Sequence, residues 1–526
     1  MEAELQALHK NNTWEITDLP QGMHPIGSKC IYRVKRISDG TIQRYKARLV
    51  ARGFTQTEGL DYHETFAPVV KMNTIRALLA VAVSKGWPLF QLDVDNAFLH
   101  GQLDEEVYMT LPPGYFKVEK AQGKVCKLLK SLYGLKQAPR QWYARFSDAL
   151  VTFGFTQSPN DHSLFTYNKE GIFLALLVYV DDVILTGTST DLIQKVKAFI
   201  HDLFKIKDLG QLRYFLGFEV SRSDDGLFLN QRKYALELIS EAGLLACKPS
   251  IIPMDTNHKL GLSTAPVLDD PMPYRRLVGQ LIYLTNTRPD LAYPVHILSQ
   301  FMNTPTDDHL RAAHKVLRYL KLAPAQGLFY PNGKDLRLSA FCDADWGACP
   351  ITRKSITGYA VTLGDALISW KNKKQATISR SSAEAEYRSM AHTCREIAWL
   401  VKILADFKVF IQSFVPLHCD NKAAMHIAKN PVFHERTKHV ELDYHVVRHH
   451  FNSGLITPHF VSTSEQPADL LTKALSSDRL QYLSTKLNVV NKLHTLSLRG
   501  GVEEKSSQPT GQPKEKKAQP TGKPTG

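Results

Sequence analysis

Seven cysteines stand in this 526-residue chain, at Cys30, Cys126, Cys247, Cys342, Cys349, Cys394 and Cys419, yet no CxxC pair occurs among them. That spacing lacks the common zinc-ribbon and dithiol patterns and offers no paired disulfide framework, which suits a reducing intracellular compartment, cytoplasmic by expectation. Long apolar runs are missing too. The run from Ile172 to Val180 stops at two acids, well short of the roughly 18 residues a spanning helix needs, so no membrane partner is expected. Met1 leads straight into the charged MEAELQALHKNN, where a secretory leader would place an apolar core. Acids are in short supply: 51 Asp and Glu face 65 Lys and Arg, for a net charge of +14, which points to a polyanionic partner.

What is present reads as globular, with 43% hydrophobic and 22% charged residues. At roughly 100 to 200 residues per domain the length implies about three or four units. Residues 30–56 alternate as a basic hairpin turning at Asp39-Gly40, and mixed helix and strand signals follow to about 230. Residues 231–330 read as mainly helical. There, DDHLRAAHKVLRYLK sets Leu310, Ala313, Val316, Leu317 and Leu320 on one face and Arg311, Lys315, Arg318 and Lys321 on the other. A solvated charged face is the plain reading of that second face, which the basic excess tilts toward phosphate contact. Residues 331–485 form a second α/β pattern, and 486–526 read as a disordered low-complexity tail with QPTG repeats.

LVYVDDVIL sets Asp181 and Asp182 inside an apolar run. Alone, the pair is explained by a hairpin turn. Asp93, in the strand-like FQLDVDNAF, adds a third acid where an unpaired carboxylate costs several kcal/mol unless a cation or hydrogen bonds compensate. Hard oxygen ligands of this kind suit Mg²⁺, and two such ions can clamp the attacking and leaving oxygens of a phosphoryl displacement. Lys46, Arg48 and Arg52 in the basic hairpin could hold a triphosphate, a solvated ribbon being the alternative.

QLDVDNAFLHG, SLYGLKQAPRQWY, LVYVDDVILTG and LRYFLGFEV, with NNTWEI and YKARLVARGFTQ before them, resemble the reverse transcriptase of copia-type LTR retrotransposons over most of residues 1–255. The resemblance implies a right-hand polymerase, with fingers and palm over 1–230 and a helical thumb or connection over 231–330. It makes Asp93, Asp181 and Asp182 the metal-binding palm aspartates, with Lys46 and Arg48 on the incoming triphosphate. Phe98 falls at a steric gate, where a ring under the sugar would reject a 2′-hydroxyl; a core Phe is its alternative. Gly134 and Gln137 would line the nucleotide and template pocket, and Leu216-Gly217 the primer grip.

A second set of acids follows. Ser381 and Glu384 have capping-box spacing, which explains Glu384, but Glu386 shares an apolar stripe with Met390, Cys394, Ile397, Val401 and Leu404. Asp343 and Asp420 end strand-like segments, and Asp469 opens the last helical pattern after Pro467. Singly, an N-cap accounts for Asp420 and a helix-dipole acid for Asp469. Together, CDADW, SSAEAEY, LHCDNKAA and TSEQPADLLTK resemble the ribonuclease H of the same elements, so 331–485 is expected to be a ribonuclease H-like domain. Asp343, Glu386, Asp420 and Asp469 are then its metal ligands, with Asp345 as an alternative to Asp343. The loop before Asp469 lacks the His that many ribonucleases H carry there. His434, His439, His445, His449 and His450 show neither HExxH nor CxxC support for zinc and read as a basic helix near a hybrid.

The expected activity is RNA-directed DNA synthesis joined to ribonuclease H cleavage, with two Mg²⁺ (Mn²⁺ as substitute) at each site. The expected partners are an RNA template, a DNA primer, the RNA–DNA hybrid and deoxynucleoside triphosphates. A catalytically inactive nucleic-acid-binding remnant is the alternative.

Overall fold

The apolar run that is too short to cross a membrane proves to be a strand covered on both faces. In the computed structural model, which describes residues 2–36, 41–113, 123–411, 414–429 and 441–491, Ile172–Tyr179 lies inside a six-stranded antiparallel sheet. The order is Ile206–Gln211, Leu89–Val94, Asp182–Gly187, Ile172–Tyr179, Leu164–Lys169, Thr156–Gln157. Side chains alternate across a strand. Leu174, Leu176 and Val178 therefore meet the helices Ala138–Phe153 and Thr190–Phe204 on one face, through Trp142, Phe146, Ile193, Ile200 and Phe204. Ala175 and Leu177 face the other way, toward the core that holds the helix Met72–Ser84. That helix is apolar nearly all round, as one buried between two layers must be.

The basic segment forms the two-stranded ribbon Ser28–Arg36 and Ile42–Ala51; its Asp39-Gly40 turn lies outside the described residues. A three-stranded sheet of Trp14–Thr17, Val125–Lys130 and Gln102–Thr110 sits beside it.

Helices Arg232–Glu241, Met272–Leu284, Ala292–Ser299 and Asp307–Leu322 follow. The expected helical character gives way over 242–271, where only the short turn Leu260–Leu262 is helical, because Gly243, Pro249, Pro253, Pro266 and Pro271 interrupt it. Asp307–Leu322 buries its apolar stripe as expected, but its basic face is already engaged. Lys315 pairs with Asp255, Arg318 donates to the Lys248 carbonyl and Lys321 to that of Cys247, so this face clamps the 247–255 loop.

A third sheet has the order Ala366–Lys374, Ile356–Leu363, Leu338–Asp345, Val415–Cys419, Ile456–Phe460. Its first three strands are antiparallel and its last two join in parallel. The 25-residue helix Ser382–Asp406 covers it. One further sheet ignores the sequence boundaries: Gly226–Asn230 pairs with Gly327–Pro331, which pairs with Val489–Val490. Residues 487–490 thus depart from the tail expectation, since Leu487 and Val489 are apolar enough to be buried. The described residues up to Asn491 form one compact unit; the rest of the tail lies outside the described residues. Among the described residues no helix is long and apolar enough to cross a membrane.

Candidate active sites: two carboxylate clusters

Three acids converge because two strands place them at one end of the first sheet. Asp182 opens its strand directly opposite Asp93 on one side and Tyr179 on the other, so Val180 and Asp181 form the hairpin loop. The turn reading and the site reading of LVYVDDVIL are therefore both accommodated by one geometry. Val180 is held at φ +55°, a backbone state that a β-branched residue rarely adopts. Two bonds hold it there: Trp142 Nε1 donates to the Val180 carbonyl at 2.7 Å, and the Val94 amide donates to the Asp181 carbonyl at 2.9 Å.

The charges are poorly compensated. Burial, then the neighbouring Asp181 and Asp93, push the Asp182 carboxyl up to about 6, against a hydrogen bond from Gln91 Nε2 at 3.3 Å. Lys207, on the strand beside Asp93, reaches Asp93 Oδ2 at 3.8 Å and pairs with Asp95. No motif singles out Lys207; it meets the acids because its strand Ile206–Gln211 pairs with Leu89–Val94 in the register Lys207 to Asp93.

Around this cluster the other expected residues separate. Phe98 is half-buried and meets Tyr133 edge-on at 5.1 Å, while the Arg48 guanidinium lies over the opposite partner of that pair, Tyr133, at 4.3 Å. Arg48 Nε is buried without a hydrogen-bond partner among the described residues, a donor suited to an anionic ligand. Lys46 sits across from Arg33 in the ribbon, and its side chain lies outside the described residues. Gly134 has φ +94°, and a Cβ there would fall 2.2 Å from the Ala51 carbonyl, so glycine is required by the close backbone approach. Gln137 is fully buried, accepting from Gln56 Nε2 at 3.0 Å and donating to the Asp61 carbonyl at 2.9 Å. Its amide thus fastens the 56–61 loop. Leu216 (φ +49°) and Gly217 (φ +75°) form a two-residue hairpin turn between Phe215 and Phe218, where the Tyr283 hydroxyl donates to the Leu216 carbonyl.

The second cluster lies on the third sheet. Asp343, 1% exposed, takes a hydrogen bond from Thr472 Oγ1 and an ion pair from Lys473 at 3.3 Å. Lys473 also reaches Asp469 at 2.6 Å, and Arg479 reaches the other Asp469 oxygen at 3.3 Å. Glu386 points inward along its stripe as expected; it accepts from the Ala344 amide at 3.2 Å and from the Cys419 thiol at 3.8 Å. Asp420 accepts from Thr463 Oγ1 at 2.8 Å. Ligand atoms of Glu386, Cys419 and Asp420 lie within 4.8 Å of one another, the one such group of His, Cys, Asp or Glu found among the described residues.

Both simple explanations of single acids here lose their footing. Asn421, not Asp420, caps the helix Lys422–Lys429, its Oδ1 accepting from the Ala424 amide. Asp469 opens a helix of only four residues, Asp469–Thr472, separate from Ser477–Lys486, so the macrodipole is small and the ion pairs account for it. Burial chiefly, with Asp469 and Asp420, holds the Asp343 carboxyl at about 6 despite Lys473; burial, Asp343 and Cys419 raise that of Glu386. Asp345, at the end of the same strand, is half-buried and likewise raised by burial. Lys473 belongs to no acid motif, although its i+4 position after Asp469 is visible in ADLLTK. His434 and His439 lie outside the described residues; His445, His449 and His450 lie on the helix Glu441–Asn452.

Glu386 and Asp420 supply hard oxygen donors close enough to share one divalent cation, with the softer Cys419 sulfur beside them; at the first cluster the three acids are part-buried, and Lys207 there and Lys473 at the second supply positive charge from within the chain.

The family model described as reverse transcriptase (RNA-dependent DNA polymerase) matches residues 11–256. The retrovirus-related Pol polyprotein from transposon RE2 of Arabidopsis thaliana is 45% identical over 491 residues, 93% of this chain and 34% of that protein. A putative transposon Ty5-1 protein of Saccharomyces cerevisiae is 36% identical over 309 residues, 58% of this chain and the whole of that protein. A solved foamy viral protease-reverse transcriptase in complex with RNA/DNA hybrid superposes with a TM-score of 0.48 at 13% identity, covering 88% of this chain and 54% of its own. The chain spans about a third of the length of the RE2 polyprotein.

Proposed function

Because the chain belongs to the Pol family of copia-type retrotransposons and includes the reverse transcriptase region, we propose that it copies RNA into DNA at Asp93, Asp181 and Asp182 and cleaves the RNA of the resulting hybrid at Asp343, Glu386, Asp420 and Asp469. The observation that carries the polymerase reading is the register that sets Asp93 opposite Asp182 across a hairpin whose loop holds Asp181. On this reading the six-stranded sheet is the palm, the basic ribbon belongs to the fingers, and residues 231–330 form the thumb or connection. The third sheet with its helices is the ribonuclease H-like domain.

Asp93, Asp181 and Asp182 would hold Mg²⁺, which when bound supplies positive charge to the reacting phosphate and lowers the proton affinity of the attacking hydroxyl. The chain's own residues position the reactants. Trp142 fixes the backbone of the hairpin loop that carries Asp181. Arg48, with an unspent Nε–H and its guanidinium over the Tyr133 ring that braces Phe98, would take the negative charge of a triphosphate. The Phe98 ring, braced by Tyr133, blocks a 2′-hydroxyl and so favours deoxynucleotides. Lys207 offsets the repulsion between Asp93 and its neighbours. At the second cluster Lys473 draws Asp343 and Asp469 together, and Glu386 and Asp420 complete a carboxylate set suited to the same cation. The basic surplus of the chain favours duplex contact through backbone phosphates, hence sequence-tolerant and salt-sensitive.

Primer extension on a poly(rA) template with Mg²⁺ tests the first site: wild type incorporates deoxynucleotides and the Asp181→Ala, Asp182→Ala variant does not. Equal incorporation by the two sinks the polymerase reading. Asp420→Asn should abolish cleavage of a labelled hybrid and spare extension; hybrid binding with neither activity favours the remnant.

A further inference from the structure

The helix Met72–Ser84 belongs to the first sheet in sequence, yet its outer face meets the third sheet at the strand Ala366–Lys374 and the helix Ser382–Asp406. The contact is built from polar groups that bond one another, with Arg76, Ser158, Ser369 and Tyr359 buried and Asn73, Glu396 and Asp406 part-buried around them. Asn73 Nδ2 donates to Ser369 Oγ at 2.9 Å and to Glu396 Oε1 at 2.7 Å, and Ser369 and Tyr359 donate to the same Glu396 carboxylate. Arg76, 5% exposed, donates to Asn73 Oδ1 at 2.7 Å and to the Asn286 carbonyl at 3.2 Å, with its guanidinium 3.7 Å above the Trp370 ring. One arginine therefore ties together the polymerase-like sheet, the helical segment after 231 and the nuclease-like sheet. A second patch repeats the join. Asp406 accepts from Ser158 at 2.6 Å and from Asn160 at 3.1 Å, Trp399 donates to the Asn160 carbonyl, and Lys71 lies over the Trp399 ring. Around both patches the apolar core runs without a break from Ile75 and Leu78 to Ile368 and Ile397.

We propose that this junction is a permanent docking surface by which the nuclease-like unit is fixed directly to the palm-like sheet, with Arg76 as its positioning residue. Two units joined only by a strand of chain would leave such polar groups to water. Here Arg76 and Ser369 are buried, and they and their part-buried partners would lose one another on separation, which makes opening costly. The consequence rests on the functional reading given above: with the two carboxylate clusters held at one separation, the RNA of a hybrid is cut at a set distance behind the primer end.

The lysine pair Lys85 and Lys408 allows a test that needs no activity, because Lys85 Nζ lies 3.2 Å from the Lys408 carbonyl across this same junction. In the full-length chain a short amine-reactive crosslinker should join Lys85 to Lys408, identified by peptide mass spectrometry, and amides 75–83 should resist hydrogen exchange. Arg76→Met should lower that protection roughly tenfold or more, the worth of a hydrogen bond to a charged group, and scatter the lengths of the cleavage products. Glu396→Gln, which keeps the shape of the cluster, should do the same in smaller measure and serves if Arg76→Met fails to fold. Crosslinked wild type should still extend primers and still cut at one distance. Loss of cleavage on crosslinking with extension intact would overturn the proposal, since the units would then have to separate to work. Absence of the Lys85–Lys408 link would overturn it as well. A normal link without extension or cleavage would instead refute the functional reading and leave the junction standing.

Discussion

Replacing Asp290 by Leu should destabilise the compact unit by about 3–5 kcal/mol, the usual cost of leaving one member of a buried ion pair alone. The sequence TRPDL places Arg288 and Asp290 on either side of a proline, and both are essentially inaccessible, at 1% and 0% side-chain exposure. Arg288 donates to Asp290 through Nε at 2.9 Å and Nη2 at 2.7 Å, and its Nη1 donates to the Ala323 carbonyl at 3.0 Å. Asp290 Oδ2 also accepts from the Tyr319 hydroxyl at 2.9 Å and Gln326 Nε2 at 3.3 Å. Every charged atom is thus satisfied, and deleting the carboxylate strands a guanidinium, a phenol and an amide at once. The short helix that carries Asp469 packs on the Pro289–Leu291 turn, so the damage should reach the second carboxylate cluster. Thermal unfolding by circular dichroism should show a midpoint lower by roughly 5 °C, and hybrid cleavage should fall further than primer extension. The double variant Arg288→Met, Asp290→Leu should recover much of the loss, because two apolar groups leave no buried charge. If Asp290→Leu shifts the midpoint by less than 1 °C, or the double variant is worse than both single ones, the reasoning fails.

Three further outcomes are expected. His296 is held neutral, its pKa pushed down to about 4 by burial and by Lys374; the unfolded chain protonates near 6.5, so stability is present above that value and is lost as pH falls from about 6.5 toward 4, by at most about 3 kcal/mol. Denaturation midpoints measured across that window should fall less steeply in His296→Asn. Trp142→Phe removes the donor to the Val180 carbonyl, so extension should slow about five- to tenfold while hybrid cleavage holds; unchanged kcat for extension would show that the hairpin needs no such tether. Gly134→Ala forces a Cβ to within 2.2 Å of the Ala51 carbonyl at φ +94° and should cost about 2 kcal/mol or more in chemical denaturation, where a neutral result would contradict the close approach.

Much of this molecule is legible along the chain because its signals are local. Strand alternation, the helical stripe Leu310 to Leu320 and the stripe behind Glu386 depend only on periodicity, and each recurs in the folded protein. Asp93 and Glu386 stand out as carboxylates amid apolar neighbours, whereas Asp181, Asp182, Asp420 and Asp469 each have a local explanation and join the set only through the motifs of the resemblance. The family resemblance, carried by motifs of a dozen residues or fewer, is equally a property of the linear chain.

What periodicity could not supply is pairing between distant segments. That Asp93 faces Asp182, that Asn421 and not Asp420 caps its helix, and that Lys207 and Lys473 lean on the acids follow from strand register and from turns whose geometry is set by the whole sheet. Gln137 bonds to Gln56 and Asp61, partners more than 75 residues upstream that no local pattern could name. The 487–490 segment joins a sheet because Leu487 and Val489 find an apolar seat there, which low-complexity neighbours conceal. The sequence by itself determined which residues carry charge, where strands and helices can form and to which family the chain belongs. Only the tertiary structure decided which acids share a field, which cations answer them and that Arg76 binds two carboxylate-bearing units into one body, because desolvation and hydrogen-bond geometry exist only once distant segments have met.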